Sequence, residues 1–175
     1  RVITKQGTDG VMVWCKKELP EDFIFEYDLT PLSQSGFFLI FFCAQGEKGK
    51  DILSEEMLKK RSEQTLFKKY TIGDINCYHI SYRRNRSATC NFRKNSGKKL
   101  LSQKKLDKVL DKDQTVHVEL YKKGGHMKLT VDSTLFMDYT DEGKDLPIWT
   151  GGRIGLRQVY DSDGLYDNVK ITELK

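Results

Sequence analysis

A segment near the middle of the chain, residues 75–97, carries the side chains best suited to chemistry. Asn85, Arg86 and Ser87 form a polar turn between two runs rich in Tyr, Ile, Thr and Phe, which favour β-strands. Because side chains alternate between the two faces of a strand, a hairpin folded around Arg86 has one apolar and one polar face. The predicted polar pairs are His79 with Arg93, Ser81 with Asn91, Arg83 with Thr89 and Cys77 with Asn95. The predicted apolar pairs are Ile80 with Phe92 and Tyr82 with Cys90.

This polar face has groups suited to β-elimination of an acidic polysaccharide. That reaction needs a cation for a uronate carboxylate, a base for the α-proton and an acid for the leaving oxygen. His79 and Arg93 are the candidate catalytic residues, because arginine binds a carboxylate through two hydrogen bonds. The register puts Tyr78 and Tyr82 on the other face, so the hairpin itself supplies no tyrosine. A hydrogen-bonded structural role for His79 is the alternative.

The same face is also suited to binding sugar without turnover. Binding needs hydrogen-bonding groups for hydroxyls and an aromatic platform for the apolar side of a pyranose. Trp149 follows Pro147 in a predicted loop and is the preferred platform, whereas Trp14 lies in an apolar strand typical of a core. The full set of candidate carbohydrate-binding residues is Ser81, Arg83, Asn91, Asn95, Trp149, Arg153 and Arg157.

The two arginines of this set belong to a predicted strand at residues 152–160. Ile154 and Leu156 are expected to point to the core, which leaves Arg153 and Arg157 on the opposite face. There each arginine either extends a basic groove or pairs with an Asp.

Two acidic patterns suggest other chemistry. Glu26 and Asp28 share one face of a strand, but a jelly-roll glucanase motif needs a second Glu that is missing here. We therefore interpret them as the polar face of an outer strand. Asp161 and Asp163 lie in a short acidic loop that offers oxygen ligands for structural calcium, with plain turn chemistry as the alternative. The four cysteines form no CxxC pair, so no zinc site is predicted, whereas disulfides stay open.

Strand signals recur along the whole chain and must position these residues. We expect strands at residues 11–16, 23–30, 36–44, 76–84, 88–95, 115–122, 127–131, 134–139, 152–160 and 165–174. Many short strands separated by polar turns predict an all-β sandwich or barrel. Residues 51–61 differ, because Ser54 precedes two glutamates and three basic residues end the segment, which predicts a short helix inserted in a loop. A further helical turn is expected near residues 106–110.

Composition narrows the class of protein. A chain of 175 residues with 38% hydrophobic residues fits one domain spanning 1–175. Its net charge of +5 comes with lysine pairs such as Lys98-Lys99, which indicate a solvated surface or an anionic partner. No nucleic-acid-binding signature and no apolar run of membrane-spanning length occurs. The chain starts at Arg1 within a predicted strand, so we expect a short segment to precede it.

Five motifs spread over nearly the whole chain point to a family: FIFEYDLTP at 23–31, GFFLIFFCA at 36–44, INCYHIS at 75–81, NFRKN at 91–95 and GGRIGLRQ at 151–158. Together they resemble the YesU-like family of unknown function. The resemblance implies a concanavalin A-like lectin/glucanase jelly-roll fold and a place in bacterial polysaccharide use, where one member belongs to pectin (rhamnogalacturonan) degradation. It implies no catalytic residue, because the activity of the family is not established and the fold hosts lectins, hydrolases and lyases.

The combined prediction is an all-β, concanavalin A-like jelly-roll β-sandwich with one short helix inserted in a loop. We expect it to bind or process an oligo- or polysaccharide, with an acidic glycan favoured by the arginines. The alternatives are a polysaccharide lyase or atypical glycoside hydrolase using His79 and Arg93, and a non-catalytic module that binds a protein partner. The expected setting is bacterial, in the cell envelope or the cytoplasm.

Overall fold

In the part of the chain that the structure describes, twelve β-strands form two six-stranded antiparallel sheets. This computed structural model describes residues 2–3, 10–33, 36–62, 74–84, 88–107, 110–159 and 162–175. The strands are β1 (Val2–Ile3), β2 (Val11–Trp14), β3 (Phe23–Pro31), β4 (Gly36–Gln45), β5 (Asn76–Arg84), β6 (Thr89–Asn95), β7 (Lys99–Lys105), β8 (Val116–Lys123), β9 (His126–Val131), β10 (Thr134–Thr140), β11 (Arg153–Val159) and β12 (Asp163–Glu173). Sheet A has the order β1-β12-β3-β8-β9-β10, and sheet B has the order β2-β11-β4-β5-β6-β7. The predicted all-β sandwich is confirmed.

The main core lies between the two sheets. In β3 every second residue is buried, and Phe25 and Tyr27 point inward. Sheet B contributes alternate residues such as Ile40 and Tyr82. The hydroxyl groups of Tyr27 and Tyr82 meet across the core at 2.6 Å, so each buried phenol is hydrogen-bonded. Apolar side chains at every second position of these strands therefore pack the inner face of each sheet against the other sheet.

A second apolar cluster lies on the opposite face of sheet B. Phe41 and Cys77 point to this face, and Ile52 and Met57 pack against them. Met57 belongs to helix α1 (Glu55–Ser62), which has two glutamates in its first turn and three basic residues in its last. That order complements the helix dipole, so the predicted helix is confirmed. We call this face of sheet B, turned away from the main core, the outer face; α1 and the loop before it cover part of it.

The structure departs from the predicted elements mainly at β7. Its sequence, KLLSQKK, is rich in lysine and pairs with β6 at the edge of sheet B. Lysines on an edge strand discourage pairing with further chains. They also interrupt the alternation of apolar and polar residues by which a strand is recognised in the sequence. The helical turn expected at 106–110 includes residues 108–109, which lie outside the described residues.

The cysteines give a prediction about reactivity. All four are free thiols, and burial raises the pKa of Cys43, Cys77 and Cys90 to about 12 in each case. Because the thiolate is the reactive form, we expect a disulfide-exchange reagent such as dithionitrobenzoate to modify only the partly exposed Cys15 rapidly in the folded protein. In denaturant all four thiols should react. Rapid release of more than one equivalent from the folded protein would contradict this assignment.

Candidate functional site

The hairpin of β5 and β6 has the register that the sequence predicts. Its ladder pairs Cys77 with Asn95, His79 with Arg93, Ile80 with Phe92, Ser81 with Asn91 and Tyr82 with Cys90. Ile80, Tyr82, Cys90 and Phe92 lie in the main core, so the predicted apolar face is confirmed. Side chains of the alternate residues therefore point to the outer face of sheet B.

Neighbouring strands extend this polar face into two rows across sheet B. The ladders align Trp14, Gly155, Phe41, His79 and Arg93 in one row. A second row aligns Met12, Arg157, Leu39, Ser81, Asn91 and Gln103. Apart from Arg157 on β11, the residues of these rows on the β2 side of the outer face are apolar or glycine, and those on the β5–β7 side are polar.

His79 is held in a fixed position on this face. Its side chain is 3% exposed, and its ring stacks on Phe41 with centroids 4.9 Å apart. The amide nitrogen of Asn95 lies 2.9 Å from His79 Nδ1. Because that amide nitrogen donates, Nδ1 accepts and the ring proton lies on Nε2. Asn95 Nδ2 also lies 3.2 Å from Cys77 Sγ, so Asn95 is fixed between two buried neighbours.

The surroundings of His79 keep its imidazole neutral. Burial, followed by the positive charges of Arg93, Lys98 and Arg157, lowers the pKa of His79 from 6.5 to about 3. An imidazole with so low a pKa is a weak base near neutral pH. This environment favours the structural interpretation of His79 over a role as general base in a lyase.

Three cations of sheet B and its β6–β7 turn lie near enough to His79 for their charges to act on it. Arg157 is 6% exposed, and the Arg93 guanidinium donates from Nη1 to the Lys98 carbonyl oxygen at 3.2 Å. Burial and then the charges of Arg93 and Arg157 lower the pKa of Lys98. The positive charges therefore act on one another as well as on the histidine. We call Arg93, Lys98 and Arg157 the cation cluster.

Lys98 is the member of the cluster that the sequence analysis misses. It is the last residue of the tight turn between β6 and β7 and has a positive φ of 57°. This turn brings Lys98 near enough to His79 for its charge to lower the pKa of the histidine, whereas the sequence shows it only as part of an ordinary lysine pair. The turn residues Asn95-Ser96-Gly97 were the available signal, because such residues reverse a chain within a few positions.

Neutral hydrogen-bonding groups border the cation cluster. Ser81 is buried between Leu39 and Asn91 in the ladder. The amide nitrogen of Gln103 donates to Asn91 Oδ1 at 2.6 Å. Charged and neutral donors therefore lie side by side on one sheet, which is the composition of a site for a polar ligand.

Comparison with known proteins places the chain in a family. Residues 3–171 match the model of a domain of unknown function, DUF1961. The chain belongs to this family. It is 30% identical over 162 residues to the uncharacterized protein YesU of Bacillus subtilis (strain 168), covering 87% of this chain and 72% of YesU.

Solved structures agree with the observed fold of this DUF1961 protein. A Bacillus subtilis protein of unknown function with a galectin-like fold superposes with a TM-score of 0.81 at 26% identity, covering 93% of this chain and 76% of that one. The carbohydrate-binding module CBM66 from Bacillus subtilis gives a TM-score of 0.62 at 16% identity, covering 96% and 84% respectively. The galectin-like, jelly-roll type of sandwich is therefore established for this chain.

Arg153 and Arg157 of the DUF1961 chain have different surroundings. Arg153 donates to Asp51 from Nε at 3.0 Å and from Nη2 at 2.6 Å, which is a bidentate ion pair. These hydrogen bonds lower the pKa of Asp51 and fasten the loop before α1 to β11. The predicted alternative of an arginine paired with an Asp thus describes Arg153, whereas Arg157 belongs to the cation cluster.

Both tryptophans have the local setting that the sequence predicts, because Trp149 lies in a loop and Trp14 lies in an apolar strand that packs against the second apolar cluster. Trp149 packs against the main core, and its indole nitrogen donates to the Asn95 carbonyl oxygen at 3.0 Å. Trp14 lies on the outer face, in the same row as Phe41. Gly155 makes room for it, because a Cβ there would lie 2.6 Å from Trp14 Cε3. Trp14 is therefore the tryptophan on the side of the sheet that carries His79.

The remaining predicted residues lie on sheet A or outside the described residues. Glu26 and Asp28 point away from the main core on sheet A, where Asp28 Oδ1 lies 2.9 Å from His117 Nδ1. The predicted polar face is present, but the predicted outer strand is wrong, because β3 is an inner strand that pairs with both β12 and β8. The Arg83 side chain and Asp161 are outside the described residues, so calcium at Asp161 and Asp163 stays a prediction. Within the described ranges no His, Cys, Asp and Glu group suited to a metal ion is found, and no described helix is long and apolar enough to cross a membrane.

Proposed function

We propose that this DUF1961 protein binds a carbohydrate on the outer face of sheet B and that it favours an acidic glycan. The observation that carries the proposal is that the charges of three cations act on one another and on a buried, neutral histidine of the same sheet. A carboxylate on a sugar relieves the mutual repulsion of these cations and forms charge-assisted hydrogen bonds with them. Arginine is suited to this role because its planar fork fits a carboxylate.

The residues around the cation cluster supply the contacts that a sugar ring needs. Asn91 and Gln103 offer amide groups for hydroxyls, and Ser81 lies beside them at the base of the face. Asn95 and His79 fix the base of the site rather than reach for the ligand. Carbohydrate binding is further supported by the likeness in fold to a carbohydrate-binding module. The acidic character of the ligand rests on the cations of this chain alone.

The test compares one charge removal at the site with the same change elsewhere. Arg93→Gln removes a cation of the cluster, and Lys170→Gln removes an exposed lysine that lies 3.0 Å from Glu26 on sheet A. We expect isothermal titration with oligogalacturonate to show at least a tenfold weaker affinity for Arg93→Gln, since a hydrogen bond to a charged group contributes about 1.5–3 kcal/mol. Lys170→Gln should bind like the wild type. Equal loss in both variants, or an affinity for oligogalacturonate that Arg93→Gln leaves unchanged, would refute the acidic-glycan proposal.

Mass spectrometry of the same mixtures separates binding from turnover. We expect the glycan to stay intact, because His79 is neutral, buried and occupied at Nδ1. A fragment with water added identifies a hydrolase. A fragment lighter than the hydrolysis product by one water identifies a lyase. Either fragment would replace the binding function with the corresponding enzyme activity.

A further inference from the structure

A cavity of about 390 Å³ lies on the other side of the β6–β7 hairpin from the cation cluster. Lys94 at the end of β6, Leu101 in β7, Tyr139 at the end of β10 and the loop at 141–146 line it. We call it the rim cavity. Its volume is in the range of pockets that hold small molecules. The cations Arg93, Lys98 and Arg157 are not among the described residues that line it.

The wall of the rim cavity is built around a buried ion pair. Lys94 is 2% exposed and donates to Asp141 Oδ2 at 2.5 Å and to the Leu146 carbonyl oxygen at 2.6 Å. The Tyr78 hydroxyl also donates to Asp141 Oδ2, at 2.6 Å, and the Gly143 amide donates to Asp141 Oδ1 at 3.0 Å. These bonds hold the 141–146 loop in place, so the cavity exists before a ligand arrives. A preformed site avoids the entropy cost of ordering a loop on binding.

The charges of the rim cavity are balanced. Its three lysines each pair with one of its three carboxylates: Lys94 with Asp141, Lys99 with Asp145 and Lys144 with Glu142. Leu100, Leu101 and Tyr139 supply apolar and aromatic surface beside these pairs. A ligand with a net charge gains little electrostatic binding energy here, because the cavity has no excess of the opposite charge. A ligand rich in hydroxyls matches both the donors and the acceptors, since each hydroxyl can donate and accept.

From this arrangement we propose that the rim cavity is a second saccharide site and that it takes a neutral sugar. The apolar side of the sugar lies against the leucines and Tyr139, and its hydroxyls meet the paired charges. The site is separate in chemistry from the cation cluster. The hairpin between them serves both, because Asn95 and Lys98 belong to the outer face while Lys94 and Lys99 line the cavity.

The test follows backbone amide signals by NMR while galactose, lactose or galacturonic acid is added. We expect the neutral sugars to shift amide signals of Leu101, Tyr139 and the 141–146 loop, and galacturonic acid to shift these signals less. Thr140→Trp fills the cavity from its rim, and Thr134→Trp makes the same change at the other, exposed end of β10. Binding of the neutral sugars should weaken at least tenfold in Thr140→Trp and remain unchanged in Thr134→Trp.

Two further variants keep the result interpretable. If Thr140→Trp does not fold, Leu100→Ala removes part of the apolar wall, with Leu135→Ala as its control, since these leucines are 43% and 41% exposed. Leu100→Ala should then weaken neutral-sugar binding while Leu135→Ala does not. Arg93→Gln should leave the cavity signals unaffected, which separates this site from the proposed acidic-glycan site. The proposal is overturned if neither galactose nor lactose shifts the amide signals at the cavity. It is also overturned if a variant and its control bind the neutral sugars with equal affinity, or if galacturonic acid binds at the cavity more strongly than they do.

Discussion

Asp141→Asn is expected to destabilise the protein by about 3–5 kcal/mol, the usual cost of breaking one half of a buried ion pair. The substitution keeps the shape of the side chain but leaves the charge of Lys94, which is 2% exposed, without its counter-charge. It also weakens the hydrogen bond from the Tyr78 hydroxyl. For a chain of this size the loss corresponds to a fall in Tm of roughly 2–4 °C per kcal/mol. Calorimetry and urea unfolding measure both quantities.

A double-mutant cycle identifies the cause of this loss. Lys94→Met removes the buried cation and leaves the Asp141 carboxylate with its bonds from Tyr78 and Gly143. We expect the combination of Lys94→Met and Asp141→Asn to lose less stability than the sum of the single variants, because no unpaired buried charge remains. Strict additivity would show that the two side chains do not interact. An effect of Asp141→Asn below about 1 kcal/mol would show that the pair is solvated in solution.

The protein should lose stability steeply on mild acidification because of His79. Burial and the three cations lower the pKa of His79 from 6.5 to about 3. Between these two pH values His79 is therefore protonated in the unfolded chain and neutral in the folded chain. The stabilising contribution of a group with a lowered folded pKa is complete above the unfolded pKa and is lost as the pH falls toward the folded pKa. The slope approaches about 1.4 kcal/mol per pH unit below the unfolded pKa, which gives a loss of roughly 2 kcal/mol between pH 6.5 and about pH 4.5.

His79→Gln tests this pH dependence. The variant lacks the titratable group, so its free energy of unfolding should fall less than that of the wild type over the same pH range. The absolute stability at neutral pH should also be lower, because the stack on Phe41 is lost. Urea unfolding at several pH values gives both quantities. Parallel curves for the wild type and His79→Gln would mean that His79 titrates as it does in an unfolded chain.

His117→Gln is the control, because His117 has the opposite sign of shift. The hydrogen bond with Asp28 raises the pKa of His117. A raised folded pKa contributes stability below the unfolded pKa, and that contribution is lost as the pH rises through the folded value. The effect is small, since the His117 side chain is 50% exposed. Removing His117 should therefore make the acid-induced loss slightly steeper, whereas removing His79 makes it shallower.

The two proposed sites are built in the same way. The cation cluster rests on a base fixed by His79 and Asn95, and the rim cavity rests on a wall fixed by Lys94 and Asp141. Both bases are buried and hydrogen-bonded, so both sites are preformed. The affinity measurements on Arg93→Gln and Thr140→Trp examine each site separately.

Local patterns in the sequence were sufficient to predict the central hairpin. The pairing of His79 with Arg93 and of Ser81 with Asn91 follows from alternation around one turn. The helix Glu55–Ser62 follows from the order of its charges. These features depend on residues close in sequence, so backbone geometry alone fixes which side chains share a face. The strand β7 was not predicted, because its lysines interrupt the alternation of apolar and polar residues.

Local sequence patterns are therefore sufficient to predict the all-β sandwich, the two faces of the hairpin and most of the polar residues on it. Which distant side chains join them depends on contacts between strands far apart in the chain. The strand order β11-β4-β5 brings Arg157 toward His79, while Asp51 takes Arg153 out of the candidate site. The same packing keeps His79 neutral, because a pKa depends on burial and on charges from several strands at once. The alternation of side chains between two faces can be predicted from a single strand. The charges of a site depend on side chains from several strands and therefore on how the strands pack.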